Sequence, residues 1–351
     1  MLEPGWGQSE PPGVKPVKGS PLVKILIGAI LIVALVAAAF LVPLPMFYAY
    51  LPGPVRDVER LVEVGDERTY SSEGRLLLTT VSVDPQVTFW EMVQAGFDDS
   101  TAIVAKEDVT GGRSLDELIE EQKNEMRLSK EAAEEVALTA LGFAEPTGDG
   151  AKVVDTIDDT PADGVLQVDD VIVSVDGEAV DTTCDVGRAI DRFEVGDTIE
   201  IEVRRDGGVR RFELEIAPDP RDQQAGIIGV FMEDVNKRFE SGLDISIDTG
   251  KIGGPSGGLM MTLALYDQLT PDDLTAGRTV AGTGTIGCDG GVGPIGGIEQ
   301  KVAGAEEAGA TVFLSPSANA AAAKSVADNI EIVTISNFDQ AVSYLEGLPQ
   351  E

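Results

Sequence analysis

Histidine is absent from all 351 residues of this chain. A Ser-His-Asp triad is therefore excluded, and so is any metal site built on imidazole. Cysteine is nearly absent too: only Cys184 and Cys288 occur, in different segments. We read them as two small packed hydrophobes rather than a bridge, and expect no metal site and no cofactor. Basic residues are scarce, 26 Lys and Arg against 61 Asp and Glu, for a formal charge of −35. Such a surface repels phosphate backbones, so nucleic acid is not an expected partner. The phosphate-loop pattern Gly-x-x-x-x-Gly-Lys-Ser/Thr is also missing: Gly250-Lys251 is followed by Ile252, and Gly148 to Lys152 has the wrong spacing.

What is present centres on residues 244–260. The alternating stretch Asp244-Ile-Ser-Ile-Asp248 predicts a strand, and Gly253-Gly254-Pro255-Ser256-Gly257-Gly258 follows. Glycines permit a tight turn and proline suits a first helical position, so a helix is predicted from near Pro255 through the apolar run to Leu269. Ser256 then falls at a helix start, where unpaired N–H groups and the positive dipole end favour a developing anion. Gly254, Pro255 and Gly257 frame it as a nucleophile and oxyanion loop. Asp244 and Asp248 read as strand-surface carboxylates.

A second segment, Gly296-Gly297-Ile298 to Gly309, predicts a helix entered and closed by glycines. Ile298, Lys301, Val302, Ala305 and Ala308 share one face, with Glu299, Gln300, Glu306 and Glu307 on the other. Lys301 is thus the sole charge on an apolar face. Burial disfavours the ammonium form, so this amine can serve as a general base. Without histidine, a serine–lysine pair is the remaining serine-nucleophile scheme. Lys251 is a second candidate base in a less buried loop. A Ser-x-x-Lys enzyme is set aside, because Ser256 has Leu259 at that spacing.

These two segments, in this order, resemble the proteolytic domain of the Lon-type serine proteases. The resemblance maps Ser256 to the family nucleophile, Lys301 to its base and Thr283 to a threonine that orients the lysine. Thr285 departs from the family, which usually has Glu there. The resemblance further implies that residues 70–83 and the following helices complete one α/β domain with the late segments. It also implies ring-forming self-association.

Between early and late parts, residues 136–218 change character. Two strands, Thr198–Arg205 and Val209–Ile216, flank Asp206-Gly207-Gly208, a hairpin signal. This block resembles a PDZ domain. The loop Leu141-Gly142-Phe143 resembles the one whose N–H groups hold a peptide's terminal carboxylate, beside a sheet edge open to an added strand.

The expected organisation is therefore a disordered tail (1–21), a transmembrane anchor (22–50), an early protease segment (51–135), a PDZ-like domain (136–218) and a Lon-like catalytic segment (219–351). Ile25 to Val42 is uncharged and apolar, and Phe47, Tyr48 and Tyr50 suit a membrane interface. Lys15, Lys18 and Lys24 precede it, which puts the N-terminus in the cytoplasm and the catalytic part outside a cell membrane. The fold class expected is α/β (α+β) with an inserted β-rich block and an N-terminal transmembrane helix. The function expected is ATP-independent cleavage of unfolded or membrane-proximal proteins and peptides. The runner-up is a silent, membrane-tethered peptide-binding adaptor.

Overall fold

The computed structural model describes residues 21–40, 42–65, 67–219 and 222–349. The tail expected to be disordered lies outside them up to residue 20. The N-terminal part contains α1 (Pro21–Phe40), β1 (Phe47–Pro52), β2 (Arg56–Asp57), β3 (Val62–Val64), β4 (Arg75–Leu78) and β5 (Val81–Asp84). It continues through α2 (Phe89–Ala95), β6 (Ala102–Ala105), α3 (Lys106–Thr110) and the long α4 (Leu115–Ala140). The middle part holds β7 (Ala151–Thr156), β8 (Val171–Val175), β9 (Glu178–Ala179), α5 (Thr183–Ile190), β10 (Thr198–Arg205) and β11 (Gly208–Glu215). A ribbon, β12 (Ala217–Asp219) and β13 (Asp222–Ile227), leads to β14 (Val230–Asp234). The last part runs β15 (Ile245–Ile247), α6 (Gly258–Leu269), β16 (Thr279–Gly282), β17 (Thr285–Ile286) and β18 (Val292–Gly293). It ends with α7 (Ile298–Glu307), β19 (Val312–Pro316), α8 (Ala320–Val326), β20 (Glu331–Ile335) and α9 (Phe338–Glu346).

The early and late parts form one sheet. Its strand order is β2-β4-β16-β19-β20, with β4, β16, β19 and β20 parallel. Leu76, Leu77 and Leu78 pair with Val280, Ala281 and Gly282, so a strand from before the middle block seats beside one from after it. All three leucines are buried, as a parallel strand covered on both faces requires.

The predicted strand over 70–83 is in fact two strands in different sheets. It breaks at Thr79-Thr80, where Gly53 N–H donates to the Thr80 carbonyl. The second strand, β5, then forms the edge of a separate sheet ordered β5-β1-β6.

Helix α6 is packed on all sides: Leu259, Met260, Met261 and Leu263 are fully buried. Its Leu, Met and Ala content favours helix, and Pro271 bars continuation past Thr270. Each such side chain stabilises by about 1.5–3 kcal/mol, which makes α6 the pillar of the catalytic half. It lies against α4 on one side and β4 on the other.

The middle block has its own core of Val153, Ile172, Ile199, Ile201 and neighbours. Asp206 and Gly207 both have positive φ, giving the β10–β11 hairpin the two-residue turn that matches strand twist. Capping boxes fix the starts of α4 and α5, at Ser114–Glu117 and Thr182–Asp185. Helix α4 crosses the expected boundary at 135/136 without a break, so the two halves share it.

The reading of the cysteines is overturned. Cys184 on α5 and Cys288 after β17 form a disulfide with Cα atoms 5.6 Å apart, across 104 residues of sequence. Folding of the middle block brings α5 onto the β17–β18 turn, a juxtaposition invisible at that separation. Glu135, Cys184 and Cys288 cluster within 4.8 Å. With the sulfurs joined and Lys237 Nζ 2.8 Å from Glu135, no free ligand set for a cation remains there.

One expectation about the anchor also shifts. Phe47, Tyr48 and Tyr50 belong to β1 of the folded domain, with Tyr48 and Ala49 buried. Among the described residues no helix is long and apolar enough to cross a membrane.

Candidate active site

Two segments converge on the loop that carries Ser256. From α4, the Gln122 carbonyl accepts a hydrogen bond from Gly254 N–H at 3.0 Å, and Ser129 Oγ donates to the Pro255 carbonyl at 3.0 Å. From the strand end after β16, Gly284 N–H and Thr283 Oγ1 both donate to the Ser256 carbonyl, at 2.9 and 3.0 Å. The loop is thus held from both sides. The Pro255 and Ser256 carbonyls are satisfied, while the N–H groups of Ser256 and Gly257 have no acceptor among the described residues.

Helix α6 begins at Gly258 with Gly257 as its N-cap, three residues later than the proline suggested. Ser256 therefore sits just ahead of the helix, inside a turn in which Gly258 N–H donates to the Pro255 carbonyl at 3.2 Å. Gly254 takes φ +82°, a left-handed conformation that favours glycine. At Gly258 a Cβ would lie 2.6 Å from Ile286 Cγ2 and 2.8 Å from its backbone nitrogen, so only glycine fits.

Lys301 is on the first turn of α7 and only 3 % exposed. Its Nζ donates to Thr283 Oγ1 at 3.1 Å, and Thr283 is itself fully buried. Thr283 thus joins the amine to the Ser256 main chain. Burial without a counter-charge pushes the Lys301 ammonium down to about 8 from an ordinary 10.5. Lys251, the second candidate, is exposed, as are Asp244 and Asp248. Gln300, expected on the outer face of α7, is 2 % exposed.

Ser256 and Lys301 line one open cleft of about 930 Å³. Tyr50, Thr80 and Val81 form another wall, and Gln122 of α4 a third. Sequence reasoning missed Gln122 and Ser129, which lie in a stretch dense in charged residues. The available signal was the i, i+3, i+7 spacing of Met126, Ser129 and Ala133, all buried.

The Leu141–Phe143 loop is arranged differently from the expectation. The N–H groups of Leu141, Gly142 and Phe143 donate to the carbonyls of Ala137, Thr139 and Leu138 and close α4. In the same block β7 pairs with β14, in a sheet ordered β11-β10-β8-β7-β14 whose edge strands are β11 and β14. The loop and the serine–lysine cleft are separate places in the fold.

Residues 234–345 match the C-terminal proteolytic domain of Lon protease (S16). Residues 126–216 match a PDZ domain. The chain thus carries a PDZ domain and a Lon-type proteolytic domain in a mixed α/β fold. The Lon-type match contains Ser256, Thr283 and Lys301. Lon protease of Roseiflexus castenholzii is 39 % identical over 93 residues, covering 25 % of this chain and 11 % of that protein. Lon protease 2 of Bacillus subtilis is 30 % identical over 109 residues, 31 % of this chain and 18 % of that one. The chain therefore spans under a fifth of the length of these two relatives. A solved PDZ domain, from the SdrC-like protein of Listeria monocytogenes, aligns at 29 % identity over 24 % of this chain and 90 % of that one, with a TM-score of 0.23.

Proposed function

We propose that this chain is a serine endopeptidase in which Ser256 is the nucleophile and Lys301 the general base. The observation that carries the reading is the buried amine of Lys301, without a counter-charge, tied through Thr283 to the residue that bears the hydroxyl. Neutral Lys301 takes the Ser256 proton as Oγ attacks the peptide carbonyl carbon. The negative oxygen is held by N–H groups ahead of α6, at Ser256 and Gly257. The Lys301 ammonium then protonates the leaving amine, and water, deprotonated by the same group, releases the acyl chain. The one hydrogen bond Lys301 Nζ makes among the described residues is to Thr283 Oγ1, and the Nζ–Oγ contact is one that tightens on substrate binding.

The substrate is an extended polypeptide. Strand β5 is an edge strand whose Val81 and Val83 line the cleft, so a peptide can add to it through main-chain hydrogen bonds. Within these 351 residues no phosphate loop occurs, and we read cleavage as independent of ATP and directed to unfolded or membrane-proximal chains. We further propose that α1 anchors the protein in the cell membrane with the catalytic part outside the cytoplasm. A disulfide suits that oxidising side. The family resemblance adds a homo-oligomeric ring, readable from the mass of the detergent-solubilised protein.

The test is digestion of an intrinsically disordered protein by the full chain in detergent, without nucleotide, beside Ser256→Ala and Lys301→Met. Both variants should be inert and folded. Undiminished cleavage by Ser256→Ala, or an absolute need for ATP, would sink the proposal.

A further inference from the structure

Helix α2 and the turn after it carry large apolar side chains that the fold leaves uncovered. Phe89, Trp90, Val93 and Phe97 are 42, 50, 36 and 90 % exposed. Their i, i+1, i+4, i+8 spacing puts them on one side of the helix and its extension. A capping box at Thr88–Glu91 fixes the start of α2, so the face is held by the backbone. Single exposed hydrophobics are ordinary, whereas a clustered aromatic face marks a contact surface.

What covers this face follows from its neighbour. Helix α1 exposes Leu22, Ile25, Leu26, Ile30, Leu31 and Val33, all above 55 %. A helix apolar on every side is stable only inside an apolar medium. The two surfaces are continuous: Phe40 at the end of α1 stacks edge-on with Phe89 at 4.9 Å, and Pro43 bridges to Thr88. Leu44 N–H then donates to the Val87 carbonyl at 2.7 Å, holding the connection against α2. The aromatic face therefore begins where α1 ends.

We propose that the α2 face, Phe89, Trp90, Val93 and Phe97, lies in the headgroup region of the bilayer that receives α1. The inference rests on the anchor reading and adds a second, interfacial contact to it. Rings with a polar edge suit that depth, and Trp90 supplies the N–H. Glu91, Asp98 and Asp99 flank the face, so the lipid it meets is zwitterionic rather than anionic.

This contact sets where the cleft opens. α2 connects β5 to β6, and β5 together with Tyr50 of β1 walls the cleft around Ser256. Seating α2 on the membrane holds that wall next to the surface, within reach of chains that emerge from it.

The chain contains two tryptophans, Trp6 and Trp90, so Trp6→Phe leaves Trp90 as the only indole. The full chain with that change is reconstituted in phosphatidylcholine vesicles brominated near the headgroup or near the bilayer centre. Emission of Trp90 should shift to the blue and fall on the order of twofold with the shallow bromines, and less with the deep ones. Phe97→Glu, at a 90 % exposed position, should reverse the shift and slow cleavage of a membrane-tethered substrate, leaving cleavage of a soluble disordered protein unchanged.

Vesicle-bound protein with unquenched Trp90 would overturn the proposal and leave the anchor standing. Failure to float with vesicles would overturn both. A blue shift that depends on protein concentration, without lipid quenching, would assign the face to a second copy and overturn it as well.

Discussion

The Nζ of Lys301 lies 3.1 Å from Thr283 Oγ1, and the same hydroxyl donates to the Ser256 carbonyl at 3.0 Å. One buried threonine therefore holds the candidate base and the candidate nucleophile in register, from two segments that are not adjacent in sequence.

The first concerns proton occupancy. Lys301 must be neutral to accept a proton, and burial holds it at about 8. kcat/KM should climb about tenfold per pH unit from pH 6 toward 8 and level above roughly pH 9. Lys301→Arg should be inert at every pH, since a guanidinium does not deprotonate. A profile flat from pH 6 to 10 would count against this base.

The second is a stability measurement on the same group. Its folded value is below its unfolded one, so the unfolded chain binds more protons between about pH 8 and 10.5. Lys301 is thus destabilising when both states are charged, and that cost fades as pH rises through this window. K301M should raise stability at pH 7 by up to about 3 kcal/mol, less the lost bond to Thr283, with the gain gone above pH 10.5. Denaturant melts at several pH values give the comparison.

Thr283→Val removes the hydroxyl and keeps the volume. The cost should be about 1–3 kcal/mol in transition-state stabilisation, a tenfold to hundredfold fall in kcat, with KM little changed. Thr283→Ser should restore most of it. A valine variant of full activity would show that the lysine needs no such guide.

Gly258→Ala tests the packing behind the serine. Its methyl group would meet Ile286 Cγ2 and backbone nitrogen, and Ser129 Oγ, all within 2.9 Å. Overpacking of this kind costs about 1–3 kcal/mol and displaces the loop, so activity should fall more than stability. Gly208→Ala, away from the cleft and with the nearest atom 3.9 Å from the added methyl, is the control and should be silent.

The disulfide offers a fifth test. Closing a 104-residue separation should stabilise by about 3–5 kcal/mol on the chain-entropy account. Reduction, or Cys184→Ser, should lower Tm and let α5 and the β17–β18 turn exchange amide protons faster. Unchanged exchange there would mean the packing alone holds the two halves together.

Local sequence patterns were enough to place several of the elements and to single out the two candidate side chains. A chain without histidine, with one lysine on an apolar helix face and one serine among glycines ahead of a buried helix, makes those two side chains candidates, and the resemblance to Lon-type proteases pairs them. The β10–β11 hairpin and the extents of α6 and α7 follow from equally local rules, with α6 starting three residues late and the second hairpin strand shifted by one residue. Tertiary structure alone decided what joins distant residues: the Cys184–Cys288 bridge, the grip of Gln122 and Ser129 on the nucleophile loop, the burial of Gln300, and β14 along β7. It also moved the exposed aromatic surface from Phe47, Tyr48 and Tyr50 to Phe89, Trp90 and Phe97. The reason is the same in each case. Periodicity records which side of an element is apolar, while the identity of the surface that covers it depends on contacts between residues far apart in the chain.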